Sequence, residues 1–180
     1  MPWLVRKIAQ RKWLNPEGLP EDAVGADAIR GDLRTGHNRL SLWTCDDPAN
    51  DAQINEIATA LGTRLDRADP IDLAWVASEQ LERAGIELEK TPGDTLLADM
   101  AEHHVDLIRV DEARLSVVAS VFAHAIKHEH RYKRIGAKKL RNLLATAVGN
   151  GRFSLAQLTE KQESLHAELS KHLSSHIPQK

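Results

Sequence analysis

Residues 111–141 read DEARLSVVASVFAHAIKHEHRYKRIGAKKLR, and this stretch orders the rest of the chain. Counting from Leu115, the side chains of Val118, Ala119, Phe122, Ala125 and Ile126 recur at helical spacing on one face. Ser116, Ser120, His124, Lys127, His128 and Arg131 fall on the other. The spacing predicts a long core helix over about 111–131, with one side buried and one side wet. Its wet side runs into the densest charge in the chain. From Ile126 to Arg141 there are seven basic residues, Lys127, Arg131, Lys133, Arg134, Lys138, Lys139 and Arg141, against Glu129 alone.

The C-terminal side of this stretch reads as helical. Gly136 separates it from a segment with Leu140, Leu143, Leu144, Ala147 and Val148, at positions i, i+3, i+4, i+7 and i+8. Gly149-Asn-Gly151 stops that helix. Ser154 with Gln157 has the form of a capping box opening a last helix. Leucines 155, 158, 165, 169 and 173 of that helix lie in a stripe about 80° wide at 100° per residue. So narrow a stripe suits a seam, either onto the protein's own body or onto a second chain.

The N-terminal side reads as strands and short helices. Leu4–Ile8, Arg39–Thr44 and Ile71–Val76 have strand character, and a single helix from Ile71 to Arg83 is the rival reading of the third. A polar helix is expected from Pro20 to Arg34. Another is expected from Asp51, with Ile54, Ile57, Ala58 and Leu61 at helical spacing and Gly62 at its end. A short helix at Ser78 and an edge strand at Ile86 and Leu88 follow. Trp3, Trp43 and Trp75 each sit in or beside an expected strand. Thr91-Pro-Gly-Asp94 marks a boundary between residues 1–93 and 94–180. A helix with Leu96, Leu97 and Met100 is expected after it, and Val105 to Val110 either continues it or forms an extended link. The expected fold is α+β: a small N-terminal mixed β/α unit packed against a helical C-terminal half, either as two units or as one continuous domain.

Composition narrows the function. With 180 residues, 42 % apolar and 28 % charged, the chain resembles an ordinary globular domain. Its net charge of −2 does not mark it as a nucleic-acid binder, but the charge is uneven. Residues 1–93 carry 11 basic and 16 acidic groups, residues 94–180 carry 13 and 10, and eight of nine histidines lie in the second part. Cys45 is the single cysteine, which excludes an internal disulfide and a thiolate-rich metal site and fits a reducing cytoplasm. No run approaches the ~18 apolar residues of a membrane span, so no membrane association is expected.

Candidate sites divide by chemistry. His124 and His128, four apart on one helical face, have the spacing of paired metal ligands, with His103, Glu102 and Asp106 as further donors. Position 125 is alanine, so the H-E-x-x-H pattern is missing, and a solvated histidine pair is the plainer reading. The seven basic residues suit phosphate contacts, with Tyr132 to stack on a base, although no helix-turn-helix, RRM or KH pattern is present. Cys45 has His37 and Asp46 near it in sequence, without sign of an activated thiol. Leu158, Leu165, Leu169 and Leu173 are the candidate partner-binding residues. No cofactor is expected, and the reading leans away from an enzyme. The leading expectation is an interaction or accessory subunit of a bacterial-type cytoplasmic system, binding a protein or itself through its C-terminal helices. A nucleic-acid-binding accessory protein using 127–141 is the alternative, and a metal-dependent hydrolase centred on His124 and His128 a further one.

Overall fold

The computed structural model describes residues 2–14, 16, 18–20 and 23–175. In chain order the elements are β1 (Trp3–Ile8), α1 (Gln10–Leu14), α2 (Ala26–Asp32), β2 (Leu40–Cys45), α3 (Asp51–Gly62), β3 (Ile71–Ala77), α4 (Ser78–Arg83), β4 (Glu87–Lys90), β5 (His104–Ile108), α5 (Glu112–Lys127), β6 (Tyr132–Ile135), α6 (Ala137–Gly149) and α7 (Glu163–Ser175). The fold is α+β. Six strands form one sheet in the order β4-β5-β2-β1-β3-β6. Every neighbouring pair is antiparallel.

Strand alternation divides the apolar residues between two cores, one on each face of the sheet. Leu4, Ile8, Leu40, Leu42, Ala74, Val76, Val105 and Leu107 belong to the first core, with Trp13 of α1, Ala28 of α2, Leu81 of α4 and the inner face of α5. Val5, Trp43, Cys45, Ile71, Leu73 and Ile135 belong to the second, with α3, α6 and α7. Phe122 is fully buried at the centre of the α5 face that the sequence assigns to the core, beside Val118, Ala119, Ala125 and Ile126. Val5 stands between Trp43 and Trp75 in register, and Trp3 pairs across to Cys45, so these three tryptophans share the second face.

Four expected segments take another form. The helix expected to reach Arg131 ends at Lys127. His130 adopts a left-handed backbone (φ 52°) that turns the chain, and Tyr132–Ile135 joins the sheet beside β3. Tyr132 packs toward the first core and Ile135 into the second, an alternation that outweighs the helical pattern of the preceding residues. Residues 94–100 form turns rather than a helix, because Thr95 turns inward to hydrogen-bond the Ala60 carbonyl (3.1 Å) and carries Leu97 into the core. A short 3-10 turn, Ala101–His103, then leads into β5. The last helix is broken into two 3-10 turns, Leu155–Gln157 and Glu160–Gln162, before α7. Gln162 causes the break: it is buried, and its Nε2 donates to the carbonyls of Thr63 (2.7 Å) and Leu65 (3.1 Å). In the 20–34 segment only Ala26–Asp32 is helical among the described residues, and residues 21 and 22 lie outside them. No helix among the described residues is long and apolar enough to cross a membrane.

Candidate functional site

The outer face of α5 is built from unusual residues for a surface. Asp111 caps the helix, its carboxylate accepting from the Arg114 N–H (2.8 Å). From Leu115 to Ile126, twelve residues pass without Asp, Glu, Lys or Arg. The inner residues of that run are core, but Ser116, Val117, Ser120 and His124 face outward, with Ala113 before them and Val121 at the margin. Leu19 and Val117 are the exposed large hydrophobic residues among those described, Val117 at 37 %. A surface helix normally shows charged and polar residues on its wet side, and here that side is serine, valine and histidine. At the C-terminal end the His124 and His128 rings lie with centroids 5.1 Å apart and planes tilted by 42°.

The sequence-derived site residues are placed as follows. Leu165 and Leu169 are fully buried in the second core, where α7 packs on α6 and the Leu165 N–H donates to the Asp66 carbonyl (2.8 Å) in the loop after α3. Leu158 and Leu173 are half-buried at the margin of the same core. The proposed metal set is not assembled. His124 and His128 lie on the α5 side of the sheet, whereas His103 precedes β5 and lines a cleft on the opposite side. Among the described residues, no group of three or more His, Cys, Asp or Glu is placed to hold a metal ion.

The basic stretch is scattered by the strand inside it. Lys133 pairs with Asp51 on one face of the sheet, and Arg134 with Asp72 (3.3 Å) on the other. Arg131 lies over the Trp3 ring, 4.6 Å from its centroid, and pairs with Glu129 (2.9 Å). Arg141 reaches Glu168 (3.1 Å), and Lys127 donates to the Ala23 carbonyl (2.7 Å). The Lys133 hydrogen bond holds the Asp51 carboxyl below its ordinary pKa. Lys138 and Lys139 remain exposed on α6. Five of the seven cations thus already have protein partners, which removes most of the phosphate contacts that a continuous basic strip would supply.

A cleft of about 210 Å³ lies between the end of β2, α3 and the 3-10 turn before β5, with Cys45, Asp46, Gln53, Met100 and His103 among its lining. Cys45 Sγ donates to Gln53 Oε1 (3.1 Å), which also accepts from the N–H groups of Asp46 and Asp47 (both 3.0 Å). Burial pushes the thiol pKa up. His37 sits at the opposite end of β2, in the Gly36–Arg39 turn. The cysteine is therefore a protonated donor within the fold, without the activation that nucleophilic chemistry needs.

Sequence reading missed one half-buried polar cluster entirely. β1 pairs with β3 over six residues but with β2 over only Trp3–Val5. Beyond Val5 the gap is filled by Arg6 and by Asp32 from the end of α2. Arg6 donates from Nε to the Asp32 carbonyl (2.8 Å) and from Nη1 to the Ser41 carbonyl. Asp32 Oδ2 accepts from the Ala9 N–H (2.7 Å) and from Trp13 Nε1 (2.8 Å). Burial lowers the Arg6 pKa, and the charges of Asp32 and Asp106 partly offset this. The available signal was parity: Arg6 sits two residues from both Leu4 and Ile8, on their core-facing side of the strand. Asp106, which the sequence offers as a metal donor, is instead a buried acceptor, taking hydrogen bonds from Ser41 Oγ (3.0 Å) and Thr91 Oγ1 (3.1 Å).

The chain matches no family model, no curated protein and no solved structure.

Proposed function

We propose that this protein is a non-catalytic interaction subunit that docks the outer face of α5 against another protein presenting an uncharged helical or sheet surface. The observation that carries this reading is the twelve-residue uncharged run on the longest described helix, with Val117 exposed at its centre. Exposed serine and alanine at Ala113, Ser116 and Ser120 permit close backbone approach, and the absence of charge from Leu115 to Ile126 limits the desolvation cost to that of hydroxyl and imidazole groups. The partnered state of most of the basic stretch favours this over nucleic acid, and the dispersal of the three histidines favours it over metal-dependent hydrolysis.

The test is affinity capture in the native host with wild type and with Val117→Asp. A protein recovered in equimolar amount by wild type and lost with Val117→Asp, at unchanged melting temperature, supports the proposal. Equal recovery by both overturns it. Nucleic acid in the eluate that disappears when Lys138 and Lys139 are changed to Glu would favour the nucleic-acid reading instead.

A further inference from the structure

We propose that the two edge strands of the sheet, β4 and β6, join head to tail between copies of this chain. This inference is independent of the α5 reading. The sheet has six strands, all antiparallel to their neighbours, so β4 and β6 run in opposite directions at its two edges. A second copy shifted across the sheet therefore brings its β4 antiparallel beside β6, with the two faces of the sheet in line.

The backbone pattern fixes which registers are possible. Trp75 N–H donates to the Arg131 carbonyl (3.2 Å), which makes Leu73–Lys133 and Ile71–Ile135 the hydrogen-bonded pairs. Tyr132 and Arg134 then turn their carbonyls outward, as Arg134 does its N–H; the Tyr132 N–H bends back to His130 (2.9 Å). At the other edge, Thr91 N–H donates to the His104 carbonyl (3.4 Å), so Leu88 and Lys90 carry the outward groups. Full overlap of β4 with β6 sets Leu88 opposite Arg134 and Lys90 opposite Tyr132, outward groups against outward groups. The same register sets Glu89 opposite Lys133 on the face that carries the second core.

Neither edge can do this with itself. Full overlap of β4 with a second β4 places outward groups against inward ones. The neighbouring registers that correct this set Glu87 against Glu89, or Glu89 against Glu89. Two β6 strands meet the same obstacle, and a corrected register sets Lys133 against Lys133. Like charges directly opposite destabilise a strand pair, and opposite charges support it. Short charged edges usually serve to prevent sheet extension. Here the charges repel the same edge and fit the other one. The existing ion pairs of Glu89 with Arg39 and Lys133 with Asp51 are exposed on at least one side and can be shared across the joint. Because the contact is heterologous, it does not close at two copies.

Sedimentation velocity and light scattering at low salt, over a concentration series, test this on the full chain. The expected result is a mean mass that rises with concentration beyond that of a dimer. Glu89→Lys should weaken assembly at least tenfold at unchanged melting temperature, and adding Lys133→Glu in the same chain should restore it. Arg134→Pro, which removes an outward N–H and leaves the β3 ladder intact, should abolish it. Val117→Asp should leave it untouched, which separates this contact from the α5 surface. Should Lys133→Glu unfold the chain through loss of the Asp51 pair, Glu89→Lys and Arg134→Pro decide. A monomer at every concentration, a mass that stops at a dimer, or assembly that survives Glu89→Lys and Arg134→Pro overturns the proposal.

Discussion

Replacing Asp32 by alanine strips the acceptor from two donors at once. Both the Ala9 N–H and Trp13 Nε1 end on Oδ2, at 2.7 and 2.8 Å, and Trp13 has no exposed surface from which to reach water. A buried donor left without a partner costs about 1–3 kcal/mol, so the pair should cost about 2–6 kcal/mol. Asparagine keeps a carbonyl oxygen that can take the position of Oδ2 and accept both hydrogens, while removing the negative charge beside Arg6. If the hydrogen bonds dominate, Asp32→Asn should cost under about 1 kcal/mol and Asp32→Ala several times more. Urea unfolding followed by tryptophan fluorescence and circular dichroism gives both values, because the midpoint shifts at constant slope when stability alone changes. Equal and large losses in the two variants would mean that charge near Arg6, not acceptor geometry, holds the gap. A loss below about 1 kcal/mol for Asp32→Ala would refute the reasoning altogether.

Two further expectations concern the helical layer and the thiol. Changing Leu165 and Leu169 together to Ser should lower the melting temperature sharply, at about 2–5 kcal/mol per emptied site, without altering association; loss of association with the fold intact would place them at an interface. Cys45 should alkylate more slowly at pH 8 in the folded chain than in urea, since burial raises its pKa above the ordinary 9.0. The same shift favours the protonated thiol in the fold, so its contribution to stability is present below pH 9 and is lost as pH rises through the folded pKa. Equal alkylation rates in the two states would remove the argument that the thiol is held protonated.

Local periodicity was sufficient where a segment has one dominant face. The α3 pattern of Ile54, Ile57 and Ala58, the α6 leucines and the inner face of α5 all bury as their spacing implies. It failed where a tertiary partner decides. Tyr132–Ile135 follows a helix and is rich in basic residues, yet the open side of β3 makes it a strand. Gln162 carries no helix-breaking signal by composition, and two carbonyls more than ninety residues away along the chain draw it inward. The width of the leucine stripe does not say which chain it faces, whereas Leu165 and Leu169 are fully buried within this one. In the sequence the outer side of α5 reads as a wet face that runs into the basic stretch, and the partial exposure of Val117 on it emerges only from the structure.

The order of strands in the sheet also sets a schedule for folding. β1 lies in the interior of the sheet, but its two neighbours come from residues 40–45 and 71–77, and the outer side of β3 is closed only by residues 132–135. The second face is sealed later still, by Leu165 and Leu169. During synthesis a long intermediate therefore has its second apolar face, with Val5, Ile71 and Leu73, covered by α3 alone, without α6 and α7. Contacts so distant in sequence slow folding, and exposed apolar faces of this kind invite aggregation or chaperone capture while the chain waits for its last helix.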